Sequence, residues 1–163
     1  MNEPALFIDI EASSPDEDGY PICIAWSTED GVINTALIIP EDDWVDWDFS
    51  YQHSHGLTRE HLFDQGDTAL DVVKALAQDL GDMTVYVDGL DLDEDWLIRL
   101  FDSFEMELPF NIQPFTRFPP GLGFEEFLRY REELLQEHGI SGFNAENNVY
   151  VMLQIANQCQ TLE

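Results

Sequence analysis

The chain has 163 residues, of which 34 are acidic and only six basic, for a formal net charge of −28. Phosphate backbones repel such a surface unless metal ions or a local basic patch intervene, which excludes a protein that grips nucleic acid by bulk positive charge. Leu, Ile, Val, Phe and Trp are plentiful enough to exclude disorder, and no apolar run reaches the ~20 residues of a membrane span. One domain covering residues 1–163 is expected. Met1-Asn2-Glu3-Pro4 has no basic stretch leading into an apolar one, so no signal peptide is expected. Cys23 and Cys159 lack zinc-site spacing and fit reduced thiols in a cytoplasm. Three readings of the acidity compete: solubility, a metal site that uses a few of the acids, and a surface that imitates nucleic acid to occupy a basic protein.

Residues 5–13 read as a first strand, apolar except for Asp9 and Glu11. Side chains alternate along a strand, so these two acids share a face. Carboxylates that close raise one another's pKa unless a cation lies between them, and a divalent metal with oxygen ligands is the usual resolution. With 34 acids in 163 residues such a triplet also arises by chance. Its place at the end of an apolar strand, where unpaired charge is expensive, is what singles it out.

Residues 15–19 form a loop, 20–27 a second strand, and Glu29-Asp30-Gly31 a hairpin turn into a third strand, 32–39, stopped by Pro40. An antiparallel meander results. Residues 41–66 read as irregular, with Trp44, Trp47, Phe49 and Tyr51 scattered among acids. His53 and His55 read there as surface hydrogen-bonding groups rather than metal ligands. Thr58 is an N-cap for a short helix with Glu60 and His61 in its first turn. An amphipathic helix starts at Asp67 or Thr68, turns Leu70, Val73, Ala77 and Leu80 inward, and ends at Gly81. Residues 83–87 make a fourth strand.

A second long helix over 91–106 buries Trp96, Leu97, Leu100, Phe101 and Phe104. Asp91 and Asp93 suit its first turn, where the helix dipole favours acids. An acid at the carboxyl end of a strand beside the first is also where open α/β sheets place ligands. Residues 109–115 suggest a fifth strand, Pro119-Pro120-Gly121 a loop, 123–137 a helix, and 144–159 a last helix that buries Val149, Met152, Leu153 and Ala156. The order predicts an α/β domain with a mixed sheet.

These segments resemble the proofreading-type 3′–5′ exonucleases of ribonuclease-H-like fold, the DEDD family, over most of the chain. Phe7-Ile8-Asp9-Ile10-Glu11-Ala12-Ser13 is similar to the first motif, and residues 20–26 to the strand that follows it. His55-Gly56-Leu57-Thr58 resembles a His-Gly-Ile-Thr segment, and Asp93-Glu94-Asp95-Trp96-Leu97 the second motif, Asp-x-x-aromatic-Leu. The resemblance implies a mixed sheet of three antiparallel strands plus parallel ones, flanked by helices. It also implies Mg²⁺ or Mn²⁺ held by Asp9, Glu11 and Asp93, and metal-assisted phosphodiester hydrolysis at nucleic-acid ends.

The third motif of the histidine subtype, His-x-Ala-x-x-Asp, departs here. Residues 143–148 read Phe-Asn-Ala-Glu-Asn-Asn, which puts Phe143 at the general-base position and Asn148 at the fourth carboxylate. Phe143 accepts no proton, which typically costs ~10²–10⁴ in rate. Asn148 offers an amide oxygen without charge, a weakened ligand for a hard dication. His138 and Glu146 are the nearby residues able to compensate. Ser13, Arg117, Arg129 and Arg131 are the expected nucleic-acid contacts, with Phe115, Phe118, Phe124 and Tyr130 as stacking partners. The competing reading makes those aromatics core and pairs the arginines with Glu125, Glu126, Glu132 and Glu133. Two function classes stay open. One is an impaired exonuclease acting on single-stranded 3′ ends. The other is an inactive protein of the same fold that binds an end or a basic protein.

Overall fold

The computed structural model describes residues 5–119 and 121–161. The signal-peptide expectation for residues 1–4 and the Pro120 part of the predicted loop lie outside these residues. Strand β1 (Leu6–Ala12) is buried along its whole length. It therefore needs cover on both faces, and it takes the centre of the sheet. It pairs antiparallel with β2 (Pro21–Ser27), which pairs antiparallel with β3 (Ile33–Leu37). On its other edge it pairs in parallel with β4 (Thr84–Val87), and β4 with β5 (Asn111–Pro114), giving the order β3-β2-β1-β4-β5. The predicted meander and mixed sheet are both present. Gly31 closes the first hairpin at φ +79°, a conformation that glycine adopts without strain.

Helices cover both faces. Leu6, Ile8 and Ile10 point to the side packed by Leu62, by α3 (Ala69–Leu80) and by α4 (Asp93–Asp102). Phe7 points the other way, to α5 (Phe124–His138) and α6 (Ala145–Thr161). Each fully buried Leu, Ile or Phe contributes ~1.5–3 kcal/mol, so the two apolar layers together fix the sheet between them. Phe115 and Phe118 belong to the second layer, stacked on one another and packed tilted and edge-on against Phe7, so they are core and not a surface platform.

Three local expectations need correction. Residues 41–66 are not wholly irregular. Before the expected short helix α2 (Arg59–Gln65), capped by Thr58, lies another, α1 (Phe49–His55). Its N-cap is Asp48, which accepts from Tyr51 N–H, and Gly56 ends it at φ +75°. None of its residues is buried, so it left no apolar rhythm to read. In α3, Leu70 is 38% exposed and the inward face is Ala69, Val72, Val73, Leu76 and Leu80, a rotation of the predicted stripe. Finally, α4 begins at Asp93 rather than 91, which leaves Asp91 in the loop before it.

Candidate metal centre and active site

Because Phe7 faces α5 and α6, strand alternation puts Asp9 and Glu11 on that same face. In the parallel register Phe7 lies beside Tyr86, so two residues further on the mid-strand Asp9 comes level with Asp88, just past the end of β4. Asp88 leaves β4 in a tight turn. Its Oδ1 accepts from Leu90 N–H at 3.0 Å, and Gly89 follows at φ +80°. The turn delivers Asp93, the first residue of α4, to the same point. All three aspartates are buried, and one carboxylate oxygen from each lies within 4.8 Å of the others.

The electrostatics of this cluster are unfavourable as they stand. Burial, then the charges of Asp88, Asp93 and Glu11, push Asp9 well above the ordinary carboxylate range, with the Asn148 hydrogen bond pulling the other way. Burial, then Asp88, Asp91 and Glu11, do the same to Asp93. The Ile10 backbone pulls the other way. Burial and the Asp91 and Asp88 charges raise Glu11 to about 8, against the pull of Arg131. Asp88 and Asp91 are raised too, first by burial. Asp9 Oδ1 and both Asp93 oxygens have no hydrogen-bond partner among the described residues. Unpartnered buried carboxylate oxygens converging on one point are costly in isolation and suit a hard divalent cation. The residues present therefore fit such an ion, with Asp9, Asp88 and Asp93 as its holders.

Glu11 stands further along β1, beside two open grooves. One, about 370 Å³, is lined by Glu11, Cys23, His55, Phe143 and Glu146 among others. The other, about 350 Å³, is lined by Glu11, Tyr51, Asp91, Arg131, Gly142 and Phe143 among others. Phe143, 51% exposed, lines both. Asn148 is buried on α6. Its Nδ2 donates to Asp9 Oδ2 at 2.9 Å and to Gly142 O at 2.8 Å, while its Oδ1 accepts from Arg131 at 3.3 Å. Asn148 thus meets the cluster with its donor end, not with an oxygen.

The remaining expected residues separate. Ser13 is fully buried, accepting from Tyr20 N–H and donating to Asp46, so its hydroxyl is structural. Arg117 and Arg129 point outward, the first donating to Gln113 and the second lying over the Tyr130 ring. Arg131 turns inward, and its contact with Glu132 at 3.8 Å is the ion pair found among the described residues. Of the expected pairings of the arginines with Glu125, Glu126, Glu132 and Glu133, the one with Glu132 is present, between chain neighbours rather than at helical spacing.

His138 closes α5 against Tyr150, whereas Glu146 lines the larger groove with Glu11. His55 also lines that groove. Its Nδ1 accepts from Leu57 N–H at 3.0 Å, and burial lowers its pKa. The neutral ring therefore carries its proton on Nε2, which is buried without a partner among the described residues and acts as a donor. Burial and the Glu11 and Glu146 charges push the Cys23 thiol up to about 12, which keeps it protonated and unreactive.

No family model matches the chain, and no curated protein does. Solved structures do. A zinc-bound complex of E. coli exonuclease I with single-stranded DNA superposes with a TM-score of 0.69 at 15% identity, covering 99% of this chain and 41% of that one. A further structure of exonuclease I gives 0.68 at 15%, covering 96% and 40%. A moderately thermophilic exonuclease I from Methylocaldum szegediense gives 0.65 at 17%, covering 93% and 39%. The chain spans about two fifths of the length of these proteins. Its five-stranded mixed sheet, with helices on both faces, has the ribonuclease-H-like fold of exonuclease I.

Proposed function

We propose that the chain is an exonuclease domain that engages single-stranded nucleic-acid 3′ ends at the Asp9–Asp88–Asp93 cluster with Mg²⁺ or Mn²⁺, and that its hydrolysis is impaired. The observation that carries this reading is the convergence of three buried carboxylates, one oxygen of each within 4.8 Å of the others, with Asp9 Oδ1 and both Asp93 oxygens lacking a partner among the described residues. A dication held there supplies charge stabilisation for a phosphodiester and lowers the pKa of water.

The protein's own groups do the rest. Asn148 holds Asp9 in place by donating to it. The His55 Nε2–H offers one hydrogen bond to an acceptor in the larger groove. The half-exposed Phe143 ring offers a stacking face for a base and accepts no proton. Losing the proton acceptor at that position costs ~10²–10⁴ in rate. A second reading, an end-binding protein that does not cut, is favoured by Asn148, whose oxygen is turned to Arg131.

The test is a nuclease assay with Mn²⁺ on single-stranded DNA and RNA, run beside Asp9→Ala and the double variant Phe143→His/Asn148→Asp. Slow 3′ trimming lost in Asp9→Ala, and a gain of about 10²-fold or more in the double variant, are expected. A folded double variant without any gain means that substrate binding is absent too, and ends the enzyme reading.

A further inference from the structure

The acidic site has two halves with different surroundings. Asp9, Asp88 and Asp93 form one, a buried cluster in which Asp9 Oδ1 and both Asp93 oxygens have no partner among the described residues. Glu11 and Asp91 form the other, on the groove that Arg131 lines. Arg131 rises from α5, and its side chain is only 14% exposed. One terminal nitrogen donates to Gly142 O and to Asn148 Oδ1, both at 3.3 Å, while Nε is buried without a partner among the described residues. Glu132, its ion-pair neighbour, is 63% exposed and 3.8 Å away, too wet and too distant to balance a buried charge. The field of Arg131 acts instead on Glu11, Asp88 and Asp91.

Two further positions are shaped for it. A Cβ on residue 142 would stand 2.4 Å from the Arg131 terminal nitrogen, so glycine there is what lets the guanidinium pass. A carboxylate at 148 would pair with Arg131 and neutralise it. The amide accepts from Arg131 without taking its charge, and leaves that charge to Glu11 and Asp91.

We propose that Arg131 is the resident cation of the Glu11–Asp91 half, so that the site takes a single divalent ion, at Asp9, Asp88 and Asp93. This deepens the metal-dependent reading above and rests on it. Its guanidinium, held on Gly142 O and Asn148 Oδ1 in the groove that Glu11 and Asp91 also line, then supplies the positive charge that a second dication would otherwise bring to those two acids.

The experiment titrates Mn²⁺ alone into the full chain, reading free ion by electron paramagnetic resonance and heat by calorimetry. Wild type is expected to bind one ion, lost in Asp9→Ala. Arg131→Met is expected to bind a second, or to bind the first at least about tenfold more tightly, since a cation beside the ligands is gone. Arg131→Lys, which keeps the charge, should behave as wild type. Circular dichroism checks folding. If Arg131→Met does not fold, Gly142→Ala, which forces the guanidinium aside, should give the same gain. Two ions in wild type, or matching isotherms for wild type and the charge-removed variant, overturn the assignment of Arg131 and leave the metal-dependent reading standing. No bound Mn²⁺ in any of them overturns both.

Discussion

Asn148 donates its side-chain N–H to Asp9 at 2.9 Å, joining the last helix to the first strand across 139 residues of sequence. It is the hydrogen bond that relieves Asp9 of part of its burial, since the other Asp9 oxygen has no partner among the described residues. Asn148→Ala leaves that carboxylate buried with no donor. The expected cost in EDTA at pH 8 is about 1–3 kcal/mol. Urea denaturation of the two proteins measures it, and the cost should shrink at pH 5, where protonation removes the need for a donor. Equal midpoints at pH 8 would show that the bond is incidental.

The raised acids make metal-free stability depend on pH in a fixed direction. Glu11 moves from its ordinary 4.5 to about 8, and Asp9, Asp88, Asp91 and Asp93 are raised as well. A carboxyl whose folded pKa is raised favours the fold fully only below its unfolded value. That contribution is lost as pH climbs through the folded one, because the unfolded chain then releases its proton more readily. The opposing cation facing them is Arg131. The melting temperature in EDTA is therefore expected to fall between pH 5 and pH 8, and less steeply in Glu11→Gln. Each kcal/mol corresponds to roughly 2–4 °C for a chain of this size. Mn²⁺ at pH 8 should restore part of the loss. Parallel curves for wild type and Glu11→Gln would remove Glu11 from this account.

What was legible in the sequence were the local rules. Alternation placed Asp9 and Glu11 on one face, and the Asp-Gly turn and apolar runs gave the strands. Asp93 came from its place in a motif at a helix start. The motifs do not mark Asp88 as part of the site, although an acid following a strand beside β1 is the signal that points to it. Its role depends on the parallel register of β4 on β1, which no local pattern encodes. From its helix alone Arg131 reads as a nucleic-acid contact or a partner of nearby glutamates. Its inward turn depends on Gly142, eleven residues away, having no side chain to block it. Helix α1 escaped because its caps, Asp48 and Gly56, hold it with no buried residue.

Asp88→Asn separates Asp88 from the expected Asp9, Glu11 and Asp93 set. The amide keeps the shape and removes one anionic ligand and one repelling charge. Mn²⁺ affinity is expected to fall by about tenfold or more, whereas the metal-free protein becomes more stable at pH 8 by about 1 kcal/mol or more. Opposite signs in one variant are the signature of a charge kept for binding. Calorimetry with Mn²⁺ and denaturation in EDTA give the two readings. Unchanged affinity would return the ligand role to Glu11.

The charge itself yields the last prediction. Of the six basic residues, Arg59 is spent on Tyr20 and Trp44, Arg99 on the carbonyls of Asp18 and Gly19, and Arg131 on the site. Lys74, Arg117 and Arg129 are left exposed. Two phosphate contacts, from Arg117 and Arg129, would give a salt slope of only about −1.4 on a single strand. Binding of a labelled oligonucleotide in EDTA should therefore be weak even at low salt, and Mn²⁺ should tighten it by bridging phosphate to the cluster. Arg117→Gln/Arg129→Gln should weaken binding by less than Asp9→Ala does in Mn²⁺, because the metal and not the arginines holds the end. If the acids instead served to occupy a basic protein, a pull-down at low salt would recover that protein and lose it at high salt, with no help from Mn²⁺. Tight oligonucleotide binding in EDTA at physiological salt contradicts the repulsion argument outright.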